Sequence, residues 1–397
     1  MTTPLPTVHS LSCHDLQKPA GPLQTGIGFL DHMLDQINSH AQVGIALVLE
    51  GDIEDKNRHA SLDPVTFLSF VGKTVGTALL PLLNDKQQQL PVTFSCPLDE
   101  ALVECKLSFS PEHAGCEYLH FTPLGKYART HLGQLNVSQL PVFWEALAQA
   151  AQLQLIFTKV RGDNAHHIIE SSFKAFSRAL RNFIDAKDLY TAEGANAQAS
   201  TALQRQASLQ RSTKETSIAV ALQLDGGSAG TKIATGLPTL DRFWTRVAEA
   251  AQLSLKIEAA GDLWIDEHHT AEDVAIAVGQ CFDQALGSKA GLNRMWSCST
   301  DGLQVIMDLS NRPCLVQNLH WDTEFVDPAA GDLSCEMMEH VLESWVVNAR
   351  WTVHIVQSGP VRADDLAVAL GTAVRYCCSV DVRRAGATAS SKGTLSV

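Results

Sequence analysis

The chain has 397 residues, 45% hydrophobic and 18% charged, with a formal net charge of −13. That length accommodates two or three domains with substantial cores, and the acidic balance argues against nucleic acid or an anionic membrane as a partner. No continuous run of about 18 apolar residues stands out, so no membrane span is expected.

In chain order, GFLDHMLDQINSHA (28–41) has helical spacing, with Phe29, Met33 and Ile37 along one side. VGIALVLEGD (43–52) reads as a strand. LPVFWEALAQAAQ (140–152) reads as a helix, LQLIFTKVRG (153–162) as a strand and HHIIESSFKAFSRALRNFI (166–184) as a helix. EGANAQASTALQRQASLQ (193–210) is small, polar and rich in Ala, Gln and Ser, as in a linker. SIAVALQLDG (217–226) alternates with period two and ends in a turn, so a strand is predicted. AEDVAIAVGQCFDQALG (271–287) is an amphipathic helix opened by acidic residues and closed by Gly287. Strands alternating with helices that cover one sheet face make the expected class α+β. The ten cysteines contain no CxxC pair, and MTTPLPTVHSLSCHD lacks the basic and apolar regions of a secretory signal. Reduced thiols and a cytoplasmic location are therefore expected.

The chain also repeats itself. QTGIGFLDHMLDQ (24–36) matches ATGLPTLDRFWTR (234–246) at an offset of 235 − 25 = 210, and GDIED and GDLWI share it at 261 − 51 = 210. LIFTKVRG (155–162) answers VHIVQSG (353–359) at a slightly shorter offset. Two units are expected, 1–190 and 211–397, joined by a linker over 191–210, and each unit holds two similar strand-and-helix halves.

Two strings carry chemistry. HHIIE (166–170) and HHTAED (268–273) both place His-His-x-x-Glu at the start of a helix. Residues i and i+4 share a helix face. His166 with Glu170, and His268 with Glu272, can thus address one cation each, while His167 and His269 point elsewhere. Imidazole with carboxylate suits Mn, Fe, Co or Zn. A single such string is most often a surface cluster, but two copies at matched places in a repeat argue against coincidence. Taken alone, His32, His340, Arg294, Arg312 and the terminal SSKG (390–393) are weaker signals; Arg, Ser and Lys together suit a phosphate.

Together, TKETSI (213–218), TGIGFLDHML (25–34), GDLWIDEHHTAEDVAIAVG (261–279), GLNR (291–294), DLSNRP (308–313), MEHV (338–341), HHIIESSFKAFSRAL (166–180) and SSKGTL (390–395) resemble the imidazoleglycerol-phosphate dehydratases, lyases of histidine biosynthesis. The resemblance spans nearly the whole chain but is divided between the units. It implies eight metal ligands: His32, His166, His167 and Glu170 from the first unit, and His268, His269, Glu272 and His340 from the second. Elsewhere the ligand positions have changed, to Arg58 and Leu62 in one string, to Val142 and Arg242 on two helices, and to the His-free VRADD (361–365). Because the losses are complementary, the resemblance implies one composite site built from both units and holding two Mn2+.

Glu215 is then the candidate acid/base, with Lys174 near the reacting end and Glu170 and Glu272 also catalytic. Gln36, His40, Arg294, Arg312, Ser390 and Lys392 would bind the substrate, a small-molecule phosphate. The fold implied is an internal duplication in each unit of a four-stranded sheet with helices on one face (ribosomal protein S5 domain 2-like). The family's closed shell of about 24 units would here need about twelve chains, a homo-oligomer with neither nucleic acid nor membrane as partner. The alternative weighed against the enzyme is a non-catalytic dehydratase-like scaffold or regulatory subunit. A generic metal hydrolase lacks a nucleophile pattern. Metal content separates enzyme from scaffold.

Overall fold

Two threonines show how faithfully the repeat is folded. In the computed structural model, the Thr25 backbone N–H and hydroxyl both donate to Asp31 Oδ1, at 2.8 and 2.6 Å. Thr235 repeats both bonds to Asp241 Oδ1 at 2.8 and 2.7 Å. Each pair sets the first turn of a helix, α1 (Gly28–Ala41) and α5 (Pro238–Ala251). The structure describes residues 5–15, 21–49, 63–84, 90–185, 205–384, 386–390 and 395.

Helix ends repeat as well. The residues after α1, α3 (Leu140–Ala151), α5 and α7 (Cys335–Ala349) are Gln42, Gln152, Gln252 and Arg350, with φ of 53, 59, 55 and 59°. A left-handed residue there closes the helix and turns the chain into the following strand. The paired caps give an offset of 350 − 152 = 198 for the second halves, which places Val142 opposite His340.

The chain divides into two compact units, Met1–Gly194 with Ser390–Lys392, and Ala195–Ala389 with Gly393–Val397. The described first unit runs β1 (Val8–Ser12), β2 (Leu23–Gln24), α1, β3 (Ala46–Leu49), α2 (Pro64–Leu79), β4 (Val92–Leu98), β5 (Ala101–Phe109), β6 (Gly115–Leu119), the short hairpin β7 (His131–Leu132) and β8 (Leu135–Asn136), α3, β9 (Leu153–Arg161) and α4 (Ala165–Ile184). The second runs β10 (Gln206–Ser212), β11 (Thr216–Gln223), β12 (Lys232–Ala234), α5, β13 (Ser254–Gly261), α6 (His268–Leu286), β14 (Met295–Thr300), β15 (Leu303–Asp308), β16 (Cys314–Gln317), α7, β17 (Thr352–Gln357) and α8 (Ala363–Cys377).

Three sheets share one order, β4-β5-β9-β6, β10-β11-β13-β12 and β14-β15-β17-β16. In each, two antiparallel pairings are followed by one parallel edge strand. The fourth has three strands among the described residues, β1-β3-β2. Within it, β1 pairs antiparallel and β2 parallel with β3, the same pairing types that β11 and β12 make with β13. The expected linker is corrected. Its last residues lie in β10, whose backbone pairs with β11 from Gln206 to Ser212. Small polar side chains disguise this exposed edge strand, which carries its pairing in the main chain.

Helices pair across halves, α1 with α4 and α2 with α3 in the first unit, α5 with α8 and α6 with α7 in the second. The core of the second unit is one cluster drawn from both sheets and all four helices, centred on Trp244, Trp345 and Trp351. Burying this much aromatic surface is the main stabilising term. The stretch Pro64–Leu82 meets the length and composition of a membrane span, contrary to the sequence expectation. Gly, Thr and Ser interrupt its apolar residues, so no run appeared, while Phe and Val keep the mean high. It buries Phe67, Leu68, Val71, Val75 and Leu79. Gly72 and Gly76 let it lie directly on α3, since a Cβ at either would strike the carbonyl of Phe143 or Leu147.

Candidate metal centres

In the first unit, α1 and α4 bring together His32, His166 and Glu170, with one ligand atom of each within 4.8 Å of the others. Asn164 caps α4 by accepting from the His166 N–H at 2.9 Å, which puts the histidine pair on the first turn. Glu170 Oε2 is 3.1 Å from His166 Nε2 and 3.7 Å from His32 Nε2. Its other oxygen, Oε1, is 2.7 Å from Lys174 Nζ, one helical turn further on. Burial alone would raise the Glu170 pKa. The Lys174 charge and the bonds from His166, His32 and Lys174 outweigh it, holding the carboxyl far below the ordinary range. Phe29, expected on the core stripe, packs edge-on against the His166 ring at 5.2 Å; the buried stripe is Leu30, Met33, Leu34 and Ile37.

The second unit builds the same arrangement from different helices. His268 and Glu272 of α6 meet His340 of α7, again with ligand atoms within 4.8 Å. Glu272 Oε1 is 3.2 Å from His340 Nε2, and Oε2 is 3.7 Å from His268 Nε2. Beside them opens a cavity of about 530 Å³, lined by Asp266, Glu267, Glu336, Glu339 and Glu343 as well as both histidines. Five carboxylates favour a cation there and repel a phosphate. The donor set of each cluster, two imidazoles and one carboxylate, fits a divalent cation of the Mn, Fe, Co or Zn group.

His167 and His269 stand outside both clusters. His167 Nδ1 is 2.7 Å from Glu100 in the β4–β5 turn, and His269 Nδ1 is 3.1 Å from Asp262 at the end of β13. The Asp262 hydrogen bond, against an opposing desolvation and with help from nearby Glu215 and Asp266, raises the His269 pKa above its ordinary value. Glu215 itself is exposed at the tip of the β10–β11 hairpin. The hairpin is tied to α6 through Asp273: Thr216 Oγ1 donates to Asp273 Oδ2 at 2.5 Å, and Arg211 Nε donates to Oδ1 at 3.0 Å. Sequence reasoning missed Glu100, Asp262, Asp273 and Arg211, although Asp262 and Asp273 bracket HHTAE.

Several expected substrate residues are placed otherwise. Gln36 and His40 follow His32 on α1 but are 0% and 1% exposed, turned into the body of the first unit. Arg294 is also buried: Nε and a terminal nitrogen donate to Asp308 at 2.7 and 2.8 Å, and the remaining nitrogen donates to the Ala389 carbonyl. That guanidinium joins the Asp308 carboxylate to the Ala389 carbonyl near the C-terminal stretch. Arg312 and Ser390 are half-buried. Lys392 lies outside the described residues, as do Arg58, His59 and Leu62.

An ion-pair network fills the junction of α5 and α8. By the Thr–Asp box, Arg242 stands where His32 stands, 242 − 32 = 210. By the first residues of α4 and α8, Asp364 stands where His166 stands, 363 − 165 = 198. Arg242 donates to Asp327 at 3.0 Å, and its Nε lies 3.2 Å from Asp364. A guanidinium held by two carboxylates replaces imidazoles held by one.

A family model described as imidazoleglycerol-phosphate dehydratase matches twice, over residues 25–180 and 235–374. Its two starts again differ by 235 − 25 = 210. The imidazoleglycerol-phosphate dehydratase of Chromobacterium violaceum is 36% identical over 201 residues, covering 49% of this chain and 100% of that protein. The Streptomyces coelicolor protein of the same name is 38% identical over 195 residues, 47% of this chain and 97% of its own. A crystal structure of imidazoleglycerol-phosphate dehydratase from Staphylococcus aureus aligns with 44% of this chain and 99% of its own, at 25% identity and a TM-score of 0.38. Whole relatives thus match about half of this chain, as two units in tandem require. The chain belongs to the imidazoleglycerol-phosphate dehydratase family, a family of hydro-lyases.

Proposed function

We propose that the chain dehydrates D-erythro-imidazoleglycerol phosphate to imidazole acetol phosphate in histidine biosynthesis, at a di-metal site to which each unit contributes one three-residue cluster. The observation that carries this reading is the pair of matched clusters, His32–His166–Glu170 and His268–Glu272–His340, in a chain of this family. Mn2+ is the cation proposed, two per composite site. Held by these histidines and glutamates, such cations would supply Lewis-acid stabilisation of negative charge on the substrate's imidazole.

The chain's own residues do the remaining work. Loss of water takes a proton from one chain carbon and a hydroxyl from its neighbour. Glu215, exposed on a hairpin that Asp273 ties to α6, would carry that proton on its carboxylate. Lys174 acts through Glu170: at 2.7 Å it keeps the carboxylate ionised and turned toward both histidines. Arg312, Ser390 and Lys392 are the proposed phosphate ligands, and binding the remote phosphate orients the ring. Arg294 shapes that region through Ala389.

Complementary ligand retention supports the composite site, and the family's assembly supports a homo-oligomer of about twelve chains in the cytoplasm. Turnover of D-erythro-imidazoleglycerol phosphate by the purified chain, stripped with chelator and then reloaded with Mn2+, tests the reading. Activity restored by Mn2+ supports it; a Mn2+-reloaded protein with no turnover sinks it.

A further inference from the structure

Each His-His pair has one histidine in a cluster and one held from behind by a carboxylate outside its helix. His167 Nδ1 meets Glu100 Oε2 at 2.7 Å. His269 Nδ1 meets Asp262 Oδ2 and Oδ1 at 3.1 and 3.2 Å. Both carboxylates are themselves fixed. Glu100 Oε1 accepts from the Asn164 N–H at 2.9 Å, which joins the β4–β5 turn to the cap of α4, and Asp262 is 4% exposed. An ionised carboxylate only accepts, so in the neutral ring Nδ1 carries the proton and Nε2 the lone pair, with Asp99 Oδ2 3.7 Å from His167 Nε2. That is the tautomer a cation needs.

The carboxylate and its histidine are also kept or lost together. The first-unit turn Asp99–Glu100 is closed by the pair Leu98 and Ala101, and the matching turn Asp301–Gly302 by Thr300 and Leu303. Gly302 therefore stands at the Glu100 place, and 167 + 198 = 365 puts Asp365 at the His167 place. Both members of that pair are gone. In the other repeat, 262 − 210 = 52 and 269 − 210 = 59, and the sequence keeps both Asp52 and His59, although its neighbours have become Arg58 and Leu62. A carboxylate that merely packed against its turn would have no reason to follow the histidine.

We propose that Glu100 and Asp262 are positioning residues that fix the tautomer and aim of His167 and His269 as metal ligands through Nε2. This rests on the metal reading above. Glu100 reaches His167 across 67 residues of sequence, while Asp262 reaches His269 across 7, so two unrelated routes arrive at one arrangement.

The test is Mn2+ titration of the full chain, followed by electron paramagnetic resonance of the free ion, for wild type, Glu100→Ala, Glu100→Gln, Asp262→Ala and Asp262→Asn. Removing such an outer carboxylate costs about 10- to 100-fold in metal affinity, and the alanine variants should show that loss. The amide variants retain a carbonyl acceptor and should recover part of it. Thermal melts in chelator separate this from simple destabilisation: a merely structural role lowers the melt and leaves Mn2+ affinity unchanged, which overturns the proposal. Mn2+ affinity within twofold of wild type in both alanine variants overturns it as well. A wild-type chain that takes up no Mn2+ overturns the metal reading itself.

Discussion

Lys174→Met removes the buried cation behind Glu170 while keeping most of the side-chain volume. The Lys174 and Glu170 side chains are 4% and 13% exposed and 2.7 Å apart, so neither charge is well served by water. Removing one partner of a buried pair costs about 3–5 kcal/mol, because the other charge is left uncompensated. In a domain of roughly 150–250 residues each kcal/mol moves Tm by about 2–4 °C, so the first unit should melt roughly 10 °C lower. The pH dependence follows from the sign of the shift. The folded carboxyl of Glu170 lies below its ordinary value, so its stabilisation is present above the unfolded pKa of about 4.3 and is lost as pH falls. The gap between wild type and variant should therefore be widest near neutrality and narrow below about pH 4. Calorimetry in chelator measures the gap, and a repeat in excess Mn2+ should shrink it, since a divalent cation beside Glu170 replaces part of the lost charge. An unchanged melt in chelator, or a gap independent of pH, would refute the view that Lys174 exists to hold Glu170 ionised.

Asp273→Asn weakens the hold of Thr216 and Arg211 on the hairpin that carries Glu215; kcat should fall at least tenfold with Mn2+ content unchanged, as metal analysis beside steady-state kinetics will show. Arg242→Ala should leave Mn2+ content at the wild-type value and cost no more than about 1 kcal/mol in denaturant unfolding. Its pairs with Asp327 and Asp364 are partly exposed, and surface pairs contribute little.

What was legible in the sequence follows from range. Helices α1, α3, α4 and α6 fall where their periodicity put them, because a helix writes its buried face every three or four residues. The His166–Glu170 and His268–Glu272 pairs were readable for the same reason. Strand β10 was hidden because its contribution is backbone pairing at an exposed edge. His32 and His340 join their clusters by tertiary packing alone, α1 on α4 and α7 on α6, and only the resemblance pointed to them. Glu100 lies 67 residues from His167, and nothing local marks it. Arg294 shows another limit of range. Its partner Asp308 lies fourteen residues on, across a strand pair, and no local pattern marks the bond.

The composite site can be tested directly with two single variants of the full chain, His166→Ala and His268→Ala, assayed for dehydration of D-erythro-imidazoleglycerol phosphate in saturating Mn2+. If the clusters of the two units complete one site, each substitution alone removes essentially all turnover. If each unit held an independent site, either variant would keep about half of the wild-type kcat, and the composite account would be wrong.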